Sequence, residues 1–344
     1  MLAMFALVSC TATGPALDAR PWLEADGLFT GDALWLGGDG AYSVDLGRGR
    51  VLWLFGDSFI ATSAAHRRDE SVMVRNSVGI QTGYDPSHAF MRFYYARVDQ
   101  HPASFIPEDG STWFWPGHGI RIGDNALLFY GRVRQTGSGM WGFSGGAWTA
   151  FVVTNPEDEP PAWQMIEANV AATGDVNLGG AVLQIADKLY VYGEGGSRHD
   201  IYLARFDTHL ALQGNLSTPE WWSHDGWRVG ATPTPIITIG APEYSVNFAA
   251  SLGRYLFVQS EGFGATTLAV RTAPNPEGPW SEPRDLLRPP ESFAADPFVY
   301  AGKAHPELTG ADLVATYVPS AFEDGPPDPT EKLYYPRFVR IGYR

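Results

Sequence analysis

Carboxylates recur at one position of a repeated hairpin pattern in this chain. Asp39 precedes a short strand, and Asp57 ends the strand that returns antiparallel to it. Glu194 and Glu261 end comparable returning strands, and Glu307 sits within a further hairpin of the same design. Carboxylates gathered at one end of neighbouring hairpins repel one another, and some of them then keep a proton near neutral pH. Cleavage of a glycosidic bond needs such a set: one carboxylic acid protonates the leaving oxygen and one carboxylate acts as base or nucleophile. The same hairpin ends carry His118, Arg132, Asn177, Tyr244 and His305. Arg75 and Asn76 begin a third strand at this rim, and Tyr335 and Arg337 begin the last one. Arg and Asn donate to hydroxyls, and Trp113, Trp115, Tyr244 and Tyr335 offer flat faces to sugar rings. Plainer assignments compete. Asp39 in Gly37-Gly38-Asp39-Gly40 suits a simple turn, and Asp57 after Gly56 suits a backbone cap. His118 and His305 suit satisfied core histidines equally well.

Other chemistries lack their residues. The Gly-rich stretch from Gly137 to Gly146 is not followed by Lys-Ser/Thr, so it is no phosphate loop. Gly142-Phe143-Ser144-Gly145-Gly146 does not match a nucleophile elbow. The acidic residues between Asp324 and Asp328 do not match a calcium loop. A single cysteine excludes an internal disulfide and a cysteine-based metal site. Neither cofactor nor metal is expected.

Five segments share the design that must position these groups: a short strand, a tight turn, then an apolar strand ending in small or polar residues. They run from Asp39 to Asp57, His118 to Arg132, Leu178 to Glu194, Tyr244 to Glu261, and Lys303 to Tyr317. Their spacing of roughly 55 to 75 residues has room for a four-stranded blade with its loops. Third strands follow at Val72 to Gln81, Trp148 to Thr154, Ile201 to Asp207, Thr266 to Thr272 and Leu333 to Ile341. No long segment has the period of a helix. The pattern predicts an all-β, five-bladed β-propeller over residues 20–344, with Val44, Ile120, Val182, Val246 and Leu308 on innermost strands. A pair of β-sandwiches divided near Pro156 to Pro161 does not account for five hairpins of one design.

Composition fits this pattern. Among 344 residues, 39 are Gly, 26 are Pro and 13% are aromatic, as expected of many short strands joined by turns. Acidic residues number 38 against 24 basic ones, for a net charge of -14. That excess argues against nucleic acid and anionic membrane as partners and tolerates a neutral oligo- or polysaccharide. Residues 1–19 read as a signal and tether. Leu7-Val8-Ser9-Cys10 resembles a bacterial lipobox, in which the Cys becomes the lipidated first residue of the mature protein, and small residues follow it. The expectation is an extracytoplasmic lipoprotein, periplasmic or at the cell surface, monomeric, and bound to membrane only through lipid on Cys10.

Five stretches carry a family resemblance. They are Gly37-Gly38-Asp39-Gly40-Ala41-Tyr42-Ser43, Leu52-Trp53-Leu54-Phe55-Gly56-Asp57-Ser58-Phe59, Arg75-Asn76-Ser77, His305-Pro306-Glu307-Leu308 and Tyr335-Pro336-Arg337-Phe338. Together they resemble a bacterial family of secreted five-bladed propellers long labelled a domain of unknown function. That family is similar to the furanosidase clan of arabinanases, invertases and levansucrases, and related propellers include endo-D-arabinanases. The resemblance implies that Asp39 acts as base or nucleophile, that Glu194 supplies the acid, and, loosely, that Asp57 tunes the acid. The Trp-Met-Asn-Asp-Pro-type motif of invertases is absent, which argues against fructan chemistry. The leading expectation is a glycoside hydrolase acting on furanose-containing, arabinan-like polysaccharide. The alternative is a non-catalytic carbohydrate-binding propeller, which would carry similar sites on each blade. Here the rim residues differ from blade to blade. A purely structural propeller would show apolar surface in place of clustered carboxylates.

Overall fold

The computed structural model describes residues 17–139, 142–294, 296–320 and 333–344, and it is all-β. Cys10 and its lipobox lie outside the described residues. No helix among the described residues is long and apolar enough to cross a membrane.

Five antiparallel sheets carry the architecture. The first contains Tyr42–Gly47, Arg50–Phe55, Ser77–Thr82 and Phe90–Tyr94. The second contains Thr112–Ile122, Asn125–Gln135, Phe143–Val153 and Met165–Glu167. The third contains Val176–Ile185, Lys188–Gly195, Asp200–Asp207, Glu220–Ser223 and Gly226–Val229. The fourth contains Tyr244–Ala249, Arg254–Glu261, Thr267–Ala273 and Arg284–Leu287. The fifth contains Phe298–His305, Leu313–Ser320 and Arg337–Tyr343, and its outer edge is the first described strand, Leu17–Pro21.

Strand alternation explains how the sheets adjoin. Successive side chains point to opposite faces, so a strand covered on both faces reads as one apolar run, as Val51-Leu52-Trp53-Leu54-Phe55 does. Leu52 and Leu54 pack with Leu128 and Tyr130 of the second sheet. The alternate residues Leu127 and Phe129 pack with Val182 and Val191 of the third. Tyr192 and Leu203 meet Tyr244 and Phe257 of the fourth sheet. Leu256 and Val270 meet Ala304 and Val339 of the fifth. Val314 and Phe338 return to Trp53 and Phe55 of the first. The first strands of the sheets touch in the same cyclic succession.

Close approach between sheets uses residues without a Cβ. At Gly180, in the irregularity between Leu178 and Ala181, a Cβ would stand 2.5 Å from the Tyr244 ring.

Four expected first strands are present, and Val44, Ile120, Val182 and Val246 lie on them. The fifth is displaced: it spans Phe298–His305, so Leu308 lies beyond its end. The expected third strand over 72–81 divides into Ser71–Val74, in a small separate sheet, and Ser77–Thr82.

Candidate functional site

The start of the first sheet's hairpin, the end of its returning strand, the first strand of the fifth sheet and Glu243 ahead of the fourth meet around Asp39. Its backbone is fixed by two bonds to the returning strand's end: its amide donates to the Asp57 carbonyl at 3.4 Å, and its carbonyl accepts from the Gly56 amide at 3.0 Å. Its carboxylate accepts from the Tyr300 hydroxyl at 2.7 Å and also from Tyr334. Burial and the nearby charges of Asp57 and Glu243 raise its pKa to about 7, against the two tyrosine bonds that lower it.

Tyr334 reaches Asp39 because its backbone is turned. It has φ of 64°, its amide donates to the Pro319 carbonyl at 2.6 Å, and its carbonyl accepts from the Gly38 amide at 2.9 Å. Gly37 makes room: with φ of 121°, a Cβ there would lie 2.5 Å from the Tyr334 carbonyl oxygen.

Asp57 is held differently. Arg75 donates to it at 3.1 Å and the Trp115 indole at 2.9 Å. Burial raises its pKa, with Arg75 and Trp115 opposing. Arg75 in turn lies over the Trp113 ring at 4.4 Å, and Trp115 packs edge-on against Phe143 at 4.7 Å. Asp57, Arg75 and Trp115 therefore form one cluster beside Asp39.

Lys303 ties three strand starts together from below. It is 1% exposed, and its ammonium donates to the Gly40 carbonyl, to the Ala301 carbonyl at 2.9 Å and to Glu243 at 3.2 Å. It also stands 4.4 Å over the Tyr42 ring. Burial lowers its pKa, while Glu243 and Asp39 hold it up. Tyr42 marks the centre of the group: burial and the charges of Glu243, Glu194 and Asp39 push its phenol well above the ordinary value.

Glu194 pairs in register with Asn177 on the third sheet. Its carboxylate bonds His199 Nδ1 at 2.9 Å, and this bond raises the His199 pKa. Asn177 packs its amide against Gly131 and leaves Oδ1 buried without a partner. Glu261 ends its strand as expected, with Oε2 buried and unpartnered. Tyr244 is fully buried, stacked on Phe257 at 4.6 Å, and leaves its hydroxyl unpartnered, so it lies behind the site and offers no open face to a sugar.

Several sequence expectations are corrected. Asn76 is 1% exposed, and its amide bonds Ile106 and the Phe114 carbonyl, which makes it a loop staple. His118 bridges sheets: Nε2 donates to the Ser43 carbonyl at 3.1 Å, and Nδ1 accepts from the Val182 amide at 3.1 Å. Burial lowers its pKa to about 4, consistent with a neutral ring. His305 is fully buried between Ser43 at 2.6 Å and Thr316 at 2.8 Å. Both histidines line a cavity of about 280 Å³ between the first strands, with Glu307 at its far end. Burial raises Glu307 to about 7, and its electrostatic neighbour is Asp45 near the opposite turn, not Asp39.

Arg132 is engaged by Glu167 on the outer strand and lies over Phe114. Tyr335 faces away from Asp39: its ring packs against Trp35 and under Arg68 at 4.8 Å. Arg337 pairs with Asp26 at 3.5 Å and Glu291 at 3.8 Å in a separate cluster, where burial raises Asp26 to about 6. Tyr300, Tyr334, Glu243, Lys303 and His199 were missed from sequence. The only signals were proximity to the chosen residues: Glu243 precedes Tyr244, and Tyr334 precedes Tyr335.

The histidine bridge yields a first expected outcome. His118→Leu removes both partners of a buried carbonyl and a buried amide, each costing roughly 1–3 kcal/mol when unsatisfied. Thermal melts should show a clearly lowered Tm at every pH above 5, since the neutral ring makes both bonds. An unchanged melt would refute the bridging role.

No group of three or more His, Cys, Asp or Glu suited to a metal ion occurs among the described residues. Residues 23–342 match the family described as Domain of unknown function (DUF5005). No curated protein matches the chain. Among solved structures, a candidate hydrolase from Bacteroides ovatus ATCC 8483 superposes with a TM-score of 0.73 at 19% identity, over 96% of this chain and 92% of that one. The catalytic domain of the Coprinopsis cinerea GH62 α-L-arabinofuranosidase has a TM-score of 0.52 at 12% identity, over 96% and 97%. The RS223 β-xylosidase has a TM-score of 0.53 at 10% identity, over 95% and 94%. At these identities the likeness is one of fold.

Proposed function

We propose that this chain, which belongs to the DUF5005 family, is a five-bladed β-propeller of residues 20–344 and a glycoside hydrolase acting on furanose-containing, arabinan-like polysaccharide. The cyclic packing of five sheets supports the architecture. The fold shared with an α-L-arabinofuranosidase and a β-xylosidase supports the reaction class. One observation carries the reading: a buried carboxyl, Asp39, bonded by the hydroxyls of Tyr300 and Tyr334, is raised to about 7 with Asp57 and Glu243 beside it.

In this reading Asp39 is the base. Two tyrosine hydroxyls donate to it, which suits the ionised form, and a pKa near the working pH makes it a stronger base than an ordinary aspartate. Glu194 and His199 are the proton source. Their bond raises the His199 pKa, so His199 holds its proton to higher pH than a free imidazole and can offer it to a leaving oxygen. Asp57, fixed by Arg75 and Trp115, sets the field at Asp39.

The test is reducing-end release from arabinan, arabinoxylan and arabinogalactan. Wild type should cleave at least one, and Glu194→Gln should lower kcat on it by roughly 10²-fold or more. Wild-type protein that binds these polymers and cleaves none would favour a binding module.

The acidic limb of the rate profile should lie near pH 7, where Asp39 ionises. The Asp57 charge raises Asp39, so Asp57→Asn should move that limb to lower pH. A limb that stays in place would remove Asp57 from this role. We also infer lipidation at Cys10 from Leu7-Val8-Ser9-Cys10. A labelled lipid precursor should mark wild-type protein in bacterial cells and not Cys10→Ser; equal labelling would refute it.

A further inference from the structure

Glu243 stands at the entrance of the fourth sheet, one residue before the strand Tyr244–Ala249. Its charge bears on Asp39, on the Tyr300 phenol that bonds Asp39, and on Tyr42. Its partner is Lys303, whose ammonium lies 3.2 Å from Oε1. The pair is lopsided: the Lys303 side chain is 1% exposed and the Glu243 side chain 20%. The cation is sealed inside the protein, and the carboxylate reaches solvent beside Asp39.

The two oxygens of Glu243 differ. Oε1 accepts from Lys303. Oε2 accepts from no described residue, yet it is not sealed from solvent. Asp57, by contrast, has both oxygens engaged, Oδ1 by Trp115 and Oδ2 by Arg75. Asp39 accepts from Tyr300 and Tyr334. Glu194 is bonded to His199 through Oε2. Lys303 is itself held by the carbonyls of Gly40 and Ala301, so Glu243 is tethered to a fixed point. It therefore presents one open acceptor, held in place, next to the group read as the base.

We propose that Glu243 is a specificity-determining residue whose Oε2 accepts from the 2-hydroxyl of the sugar ring held at Asp39, so that the protein selects residues with an unsubstituted O-2. This rests on the glycosidase reading of the Asp39 site. The carbon that reacts there is anomeric, and in a polymer neither of its oxygens carries a hydrogen. The nearest hydroxyl able to donate is the one on carbon 2. Lys303 already supplies the positive charge, so a neutral donor suffices for Glu243. A hydrogen bond from a hydroxyl to a carboxylate is about twice as strong as one to a neutral acceptor. A bond to the 2-hydroxyl also strengthens in the transition state of glycosidic cleavage. A residue branched or acylated at O-2 has no proton to give, and a site built around a hydroxyl rejects a ligand that lacks it.

The experiment uses the full chain, as wild type and Glu243→Gln. The substrates are p-nitrophenyl α-L-arabinofuranoside and its 2-deoxy-2-fluoro counterpart, in which fluorine cannot donate. Fluorine slows the ring chemistry in both proteins alike, so the change in the hydroxyl-to-fluoro ratio of kcat/KM isolates the contact. That ratio is taken within each preparation, so any loss of folded protein cancels. It should be about tenfold or more higher in wild type than in Glu243→Gln. Equal ratios overturn the assignment of Glu243 and leave the glycosidase reading standing. If wild type cleaves neither glycoside, calorimetric titration with both decides the contact, and the polysaccharide assay decides the glycosidase reading separately. A preference for the hydroxyl compound that is present in wild type and lost in Glu243→Gln supports the contact. Binding without that preference, or no binding, overturns it.

Discussion

Asp39→Asn is expected to abolish hydrolysis while making the protein more stable at neutral and alkaline pH. The first effect follows from removing the base: losses of roughly 10²–10⁴-fold are usual for such a group. The second follows from linkage. The folded pKa of Asp39 is about 7 against 3.8 unfolded, so the folded state holds its proton more tightly. The stabilisation from that proton is complete below pH 3.8 and is lost as pH rises through 7. Above pH 7 the native protein carries a buried, repelled carboxylate that the unfolded chain would solvate. Asn removes that burden, on the order of 4 kcal/mol before relaxation. Melting curves at pH 8 should place Asp39→Asn above wild type by several degrees, and at pH 4 the two should nearly coincide. A variant that is active, or one less stable than wild type at pH 8, would overturn the assignment.

Lys303→Met should have the largest effect on stability. The side chains match in length, but the ammonium's bonds to Gly40, Ala301 and Glu243 disappear together. Removing one partner of a buried ion pair costs about 3–5 kcal/mol. Glu243 keeps some water, with its side chain 20% exposed, so the lower end applies. The Tm should fall by several degrees. Lys303 is also a positioning residue. Gly40 adjoins Asp39 and Ala301 adjoins Tyr300, so loosening both should lower kcat more than it changes KM. A Tm and kcat equal to wild type would exclude this clamp.

Much of the fold was legible because each hairpin carries its own signal. Turns such as Gly123-Asp124-Asn125 separate the two apolar strands of each hairpin, and four hairpins are readable in place even though three of them carry a register shift in the first strand. The fifth was not, for a local reason. Its first strand is interrupted between Tyr300 and Lys303, where Ala301 has φ of 58°. That break hides Phe298-Val299-Tyr300 from the alternation, and the legible remainder, Lys303 to Leu308, reads as the whole strand. The displacement put His305 and Glu307 at the wrong end and concealed Tyr300. The sequence points to Tyr335, whereas Tyr334, on left-handed backbone, is the ring bonded to Asp39. Glu194 was legible from its strand end, whereas His199 lies in a loop whose path back to it no spacing rule encodes.

Leu17–Pro21 pairs with Arg337–Tyr343 along its full length, with Leu17 opposite Tyr343 and Pro21 opposite Val339. Chain order and folding order are therefore at odds. During synthesis the first sheets have their partners early, but the segment that begins the described chain waits for the segment that ends it. Until then the fifth sheet has an open edge, and Trp53 and Phe55 lack their cover of Val314 and Phe338. Such maximal sequence separation makes the final step slow and leaves an aggregation-prone edge while it is pending. It also leaves Leu17 beside Tyr343, so joining these two residues by a short linker and opening the chain in an exposed turn elsewhere would convert this slowest contact into a local hairpin.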